Sequence, residues 1–90
     1  MQNPLGSSVE PLTKIVDDQV EVLEFRVRDN CRFIGRPLKD LQFKKGILVS
    51  YIIRKGKASI AVGSSQVAIG DTVIIISQLQ GLREINDVLA

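Results

Sequence analysis

The chain has no histidine, no tryptophan and a single cysteine, Cys31, among its 90 residues. With no imidazole and one thiol, an ordinary zinc site cannot be assembled. No disulfide can close within the chain either, so cytosolic redox conditions are acceptable. No apolar run approaches the ~20 residues that span a bilayer, and the N-terminus lacks the apolar core of a signal peptide. A soluble domain is expected. Neither G-x-G-x-x-G nor a Walker sequence occurs, which removes the common nucleotide cradles. Catalysis is poorly served as well, because acid–base work near neutral pH usually draws on histidine or on a carboxylate perturbed within a cleft. Asp17/Asp18 and Glu21/Glu24 read as solvated turn and strand charges. Cys31 sits near Arg28 and Arg32, which favour a thiolate, but it has no histidine base to activate it. Asp71, after Gly70, reads as a turn residue whose carboxylate takes local N–H groups. No enzyme is expected.

What is present is aliphatic. Isoleucine, valine and leucine make up 30 of the 90 residues, against three Phe and one Tyr. That load suffices for one core, and a chain of this length forms one domain burying about 60–65% of its unfolded surface. The net charge of +2 conceals an uneven distribution: −4 over residues 1–25, +8 over 26–57 and −2 over 58–90. The middle third therefore sets up a positive field that can draw an anion, or else forms a solvated cationic rim balanced by the acidic first strands. Nucleic acid is not an expected partner. Base stacking has only Phe33, Phe43 and Tyr51 to use, and the cations are dispersed rather than striped along one helix.

Residues 1–8 (MQNPLGSS) read as a disordered tail or linker, and residues 9–90 as a single domain. Val9–Val16 has strand character broken by Pro11, which places it at an edge, and Asp17-Asp18-Gln19 is a turn. Val20–Arg28 alternates, with Leu23, Phe25 and Val27 on one face and Glu24, Arg26 and Arg28 on the other. Val20 and Val22 fall out of phase, so a bulge or two-sided burial is expected near Val22. Pro37 is placed in the first turn of a helix of one or two turns that buries Leu38 and Leu41. Ile47–Arg54 reads as a strand apolar on both faces, Ile47, Val49, Tyr51 and Ile53 on one and Leu48 and Ile52 on the other. Lys55-Gly56 is a hairpin turn. It leads into Lys57–Val62, whose inward set is Ala58, Ile60 and Val62. Gly63-Ser64-Ser65 is a loop or a small anion nest, and Val67–Ile69 a short strand. Thr72–Ser77 is another two-sided strand. Ser77 and Gln80 fit an S-x-x-Q capping box, which predicts a C-terminal helix of about three turns packing Leu82, Ile85 and Leu89.

The fold class is α+β: a small, antiparallel-dominated sheet with one short internal helix and a C-terminal helix. Two strands apolar on both faces leave more apolar surface than one terminal helix can cover. The simplest resolution is a symmetric dimer. Ile47, Val49, Tyr51 and Ile53, or the opposite face of the same strand, are the candidate subunit contacts. The cations of residues 32–57 are candidates to line a cleft between subunits.

One ordered set of segments resembles a known family. It comprises Val22-Leu23-Glu24-Phe25-Arg26-Val27, Ile34-Gly35-Arg36-Pro37-Leu38-Lys39-Asp40-Leu41, Gly46-Ile47-Leu48-Val49, Ile52-Ile53-Arg54-Lys55-Gly56 and Ile69-Gly70-Asp71-Thr72-Val73-Ile74-Ile75-Ile76. Together these resemble the C-terminal regulatory domain of RCK (TrkA-C) proteins from about Val20 to Leu89. The resemblance implies a dimerising cytoplasmic domain behind a Rossmann-type RCK N-terminal domain. Such a domain is peripheral to the inner face of the membrane and biases the gate of a potassium-translocating subunit, with no membrane insertion of its own. It also implies an effector loop over Gln42–Leu48, with Phe43, Lys44, Lys45, Gly46, Ile47 and Leu48 as candidate ligand-binding residues. No cofactor is expected; cyclic di-AMP or another small anionic effector is the ligand class the resemblance implies. Family binders of that dinucleotide carry an Arg early in the loop and an Asn just after its Gly, where this chain has Gln42 or Phe43, and Ile47 or Leu48. Without a Rossmann half, the chain alone is not expected to bind NAD or ATP in the Rossmann manner. The alternative is a ligand-free structural dimerisation domain of another cation transporter or antiporter.

Overall fold

The computed structural model describes residues 19–90. The expected tail at 1–8, the edge strand at Val9–Val16 and the start of the following turn lie outside the described residues. Four strands, β1 (Glu21–Arg26), β2 (Ile47–Arg54), β3 (Lys57–Ile60) and β4 (Thr72–Ser77), form one sheet in the order β1-β4-β2-β3. Every pairing is antiparallel. The β-branched run of β4 occupies the interior of the sheet, where such side chains pack against neighbours on both sides. Leu23 and Val49 flank Ile75, and Phe25 and Ile52 flank Val73. These residues set the core-facing side of the sheet.

β1 pairs with β4 without a break in register. Of the two expectations at Val22, two-sided burial is the one realised, since Val22 and Leu23 point to opposite faces and both are buried. A bulge does occur, but in β2, between Val49 and Tyr51, where the Ser50 hydroxyl donates to the Ile74 carbonyl at 2.9 Å. The extra residue resets the alternation of the strand. Ile47, Val49 and Ile52 turn toward the core, and Leu48, Tyr51 and Ile53 turn away. The sequence grouping of Ile47, Val49, Tyr51 and Ile53 on one face is therefore corrected: the bulge divides those four between two faces.

The Lys55-Gly56 turn forms as expected. Both residues are left-handed, at φ 51° and 80°, the backbone of a two-residue hairpin that matches strand twist. β3 beyond it is exposed along its whole length. Ala58 and Ile60 pair with Ile53 and Tyr51, so they lie on the sheet side facing away from the core. Val62 is exposed as well. The inward set expected at Ala58, Ile60 and Val62 is thus absent. Val67–Ile69 is not a strand either; Val67 makes one parallel bridge to Ile34, and Ile69 is exposed.

The layer covering the sheet is built from loops and two single 3-10 turns, Leu38–Asp40 and Ile85–Val88. Pro37 caps the first of these from outside it rather than standing in its first turn. Phe33, Cys31, Leu38, Val67, Ile85 and Val88 press onto Val27, Val49, Ile52, Val73 and Ile75. The predicted C-terminal helix does not form. The Ser77 hydroxyl accepts the Leu79 N–H at 2.9 Å and donates to the Leu79 carbonyl at 2.8 Å, which closes a local turn in place of a helix cap. Gly81 then takes φ 84°, outside right-handed helix space. Capping occurs at Glu84, three residues later, where Asp87 accepts the N–H groups of Arg83 and Glu84 at 2.8 and 3.1 Å. The chain ends by pairing Leu89 with Phe43 in a strand-like bridge. Gly81→Ala is expected to lower stability by about 1–2 kcal/mol. In a helix interior the same change would raise it by about 1 kcal/mol, so the sign of the shift in urea unfolding separates the two conformations.

Candidate functional site

The loop from Gln42 to Leu48 is held at both ends. Ala90 N–H donates to the Gln42 carbonyl at 2.9 Å, Lys44 N–H to the Val88 carbonyl at 2.9 Å, and Gln78 N–H to the Gly46 carbonyl at 2.8 Å. Phe43 is half-buried, with its ring 6.2 Å from that of Phe33 in an edge-to-face contact. Ile47 packs against the core. Gly46 lies against the Gln78 side chain, which a Cβ at that position would meet at 3.2 Å. Lys44, Lys45 and Leu48 are the exposed members. The six sequence candidates therefore split into an inner set (Phe43, Gly46, Ile47) that fixes the loop and an outer set (Lys44, Lys45, Leu48) open to a ligand or a neighbour. Lys44 is near enough to Asp87 to help hold that carboxyl below its ordinary value, after the N–H groups of Arg83 and Glu84.

The sheet side facing away from the core carries Leu48, Tyr51, Ile53, Ile60, Ile74 and Ile76 across three adjacent strands. Leu48 is 58% exposed, Tyr51 43% and Ile60 67%. Contiguous apolar surface of this kind commonly marks an interface. Val49 and Ile47, from the sequence set, are not part of it.

A third constellation escaped sequence reasoning. Asp71 is 2% exposed and receives Arg54 side-on, Nε at 2.9 Å and Nη2 at 2.8 Å on its two carboxylate oxygens. It also accepts the Ala68 N–H at 2.8 Å, the local turn bond expected from sequence. The Arg54 hydrogen bond is the main reason the Asp71 carboxyl is held below its ordinary range; burial works in the opposite direction. Asp71 backbone groups bond Val27 and Ala68, so this clamp ties β1, β2 and the loop before β4 together. The partner lies 17 residues away, and no local pattern announces it. Cys31 is buried, and burial pushes its thiol pKa up, opposite to the shift that activates a nucleophile. No helix among the described residues is long and apolar enough to cross a membrane.

These features define a small antiparallel β-sheet domain with an apolar outer face, a pinned basic loop and an internal ionic clamp. The chain belongs to the TrkA-C domain family, whose model matches residues 22–90. Two Methanosarcina mazei proteins are similar to it: Trk system potassium uptake protein TrkA homolog 1, 30% identical over 81 residues, and homolog 2, 26% identical over 81 residues. Each match covers 90% of this chain but only 18% of the relative. The segments singled out in the sequence fall almost wholly inside the matched region.

Proposed function

We propose that this chain is a cytoplasmic regulatory domain of a potassium uptake system, associating as a homodimer and biasing a membrane-embedded translocating subunit. The observation that carries the reading is the family match over residues 22–90. The names of its relatives supply the transport class, and the apolar outer face of the sheet supplies a surface on which a second copy can sit. The proposed subunit contact is Leu48, Tyr51, Ile53, Ile60, Ile74 and Ile76, the set created by the bulge at Ser50. A Rossmann-type N-terminal domain is the proposed link to the membrane subunit. Regulation then follows from linkage: whatever favours one dimer geometry shifts the gate by its differential affinity for the two geometries and no more.

An effector such as cyclic di-AMP would meet Lys44 and Lys45 on the pinned loop. The inward turn of Phe43 and Ile47 favours a second reading, a ligand-free dimerisation domain of a cation transporter, because it leaves few side chains to recognise a base.

The test joins assembly to transport. Leu48→Glu and Ile60→Glu change stability by no more than about 0.5 kcal/mol in the monomer, since both side chains are exposed. Facing like charges across a two-fold interface, they should weaken the dimer about 100-fold by sedimentation equilibrium. The same variants, placed in the intact transport system, should alter uptake of rubidium as a potassium tracer. A chain that stays monomeric at millimolar concentration, or variants that leave both readouts unchanged, would refute the proposal. A rise in unfolding midpoint with cyclic di-AMP, lost in Lys44→Ala/Lys45→Ala, selects the ligand-sensing form over the ligand-free one.

A further inference from the structure

At the end of the β2–β3 hairpin farthest from the effector loop, the core-facing side of the sheet runs out from under its cover. Ile52 pairs with Ser59 and Arg54 with Lys57, so these four residues share that side; Ile52 is still buried, while Arg54, Lys57 and Ser59 are exposed. The loop carrying Ser65 and Gln66 stands over them as a wall. The result is a groove of about 580 Å³ lined by Ile52, Arg54, Lys55, Lys57 and Ser59 from the hairpin and by Ser65 and Gln66 from the loop. That volume falls within the ~300–1,000 Å³ of small-molecule sites.

The groove is held in shape by groups that do not themselves need a ligand. Ser65 Oγ accepts the Val62 N–H at 2.9 Å, and the Ser65 backbone bonds both Val62 and Leu38. Arg54 is fixed from behind: Nε and Nη2 are committed to Asp71, and Nη2 also reaches the Gln66 carbonyl at 3.1 Å. Its Nη1 has no partner among the described residues. Neither Lys55 nor Lys57 has a carboxylate partner there, since Arg54–Asp71 is the one ion pair among the described residues. Lys55 is further constrained by its left-handed backbone at φ 51°. Asp71 offsets one of the three cations, which leaves a local excess of two positive charges around the groove.

A second basic cavity, of about 190 Å³, lies among Arg26, Arg28 and Arg83, but Glu84 forms part of its wall. The hairpin groove has no carboxylate in its lining among the described residues.

We propose that this groove is a binding site for a small phosphate ester carrying two negative charges, distinct from the Gln42–Leu48 loop and independent of it. A preoriented guanidinium with a free Nη1 edge donates directional hydrogen bonds to phosphate oxygens, and the two lysines supply point charge. The Ser59 and Ser65 hydroxyls add donors beside the charged groups.

The experiment is an amide-shift NMR titration of the folded chain with adenosine monophosphate and with pyrophosphate, against sodium chloride at matched ionic strength. Saturable shifts centred on Lys57, Ser59, Ser65 and Gln66 are expected. Affinity should fall at least tenfold in Lys55→Gln/Lys57→Gln, whose exposed side chains are not needed for folding. Lys44→Gln/Lys45→Gln should leave it unchanged, which keeps this result separate from the effector-loop reading. Shifts that follow salt alone, that spread equally over Lys44 and Lys45, or that survive Lys55→Gln/Lys57→Gln would overturn the proposal. So would binding to phosphatidic-acid vesicles without binding to either soluble probe, since the site would then be a lipid-surface patch.

Discussion

Replacing Phe33 with alanine is expected to cost about 3–5 kcal/mol, the range for truncating a fully buried aromatic residue. Phe33 is 1% exposed and belongs to the cluster that joins the loop layer to the sheet. It also supports Phe43 through their edge-to-face contact, which adds about 0.5–1.5 kcal/mol beyond the buried area. Small domains hold only ~5–15 kcal/mol in total, so the variant should retain a minor part of its stability. The midpoint of thermal unfolding should drop by on the order of 20 °C at fixed protein concentration. Because Phe43 anchors the effector loop, amide exchange at Lys44, Lys45 and Gly46 should accelerate more than at β1. Equal acceleration at both places would mean that the loop is not held through this ring pair.

Removing the Asp71 carboxylate is the second large change. Asp71→Ala strips the Ala68 N–H of its acceptor and releases the Arg54 guanidinium, and the expected loss is about 2–3 kcal/mol. The figure is set below that of a fully enclosed ion pair because the Arg54 side chain is 53% exposed and can be hydrated once released. The pH dependence carries a definite sign. The folded-state pKa of Asp71 lies below the ordinary 3.8, chiefly through Arg54, so the unfolded chain takes up this proton first as pH falls. The contribution is therefore complete above the unfolded value and is lost as pH falls through the folded one. Asp87 behaves in the same sense through the N–H groups of Arg83 and Glu84. Urea midpoints should be flat near neutrality and decline in acid, and Asp71→Asn should flatten part of that decline. An unchanged acid limb in Asp71→Asn would assign the titration to other carboxylates.

The strands were legible in the sequence because runs of β-branched residues with period-two alternation have few other uses. Val20–Arg28, within which β1 forms at Glu21–Arg26, stands out on that basis, as do Ile47–Arg54, Thr72–Ser77 and the Lys55-Gly56 turn between two such runs. The bulge at Ser50 was not legible. A serine within ILVSYIIR carries no mark of an inserted residue, and its effect appears only when β4 fixes the pairing on both sides of it. Face assignments made by simple alternation failed from Tyr51 onward for that reason. The C-terminal helix failed for a different one: Ser77 and Gln80 satisfy a local pattern, but Gly81 and the long-range pairing of Leu89 with Phe43 override it. The Arg54–Asp71 clamp joins two residues that each look like ordinary turn-flanking charges. Family membership, by contrast, was legible from an ordered set of short segments, none of them distinctive alone.

The strand order has a consequence for how the molecule comes into being. β1 and β2 never pair with each other; both pair with β4, which begins 46 positions after the end of β1 in the chain. Contacts between segments so far apart must wait for the long intervening stretch to be closed, the circumstance that slows folding. On a ribosome the sheet has no centre until Thr72–Ser77 has left the exit tunnel. Until then, among the described residues, the β2–β3 hairpin is the one paired part of this sheet that can exist, with its apolar edge unpaired and open to other nascent chains.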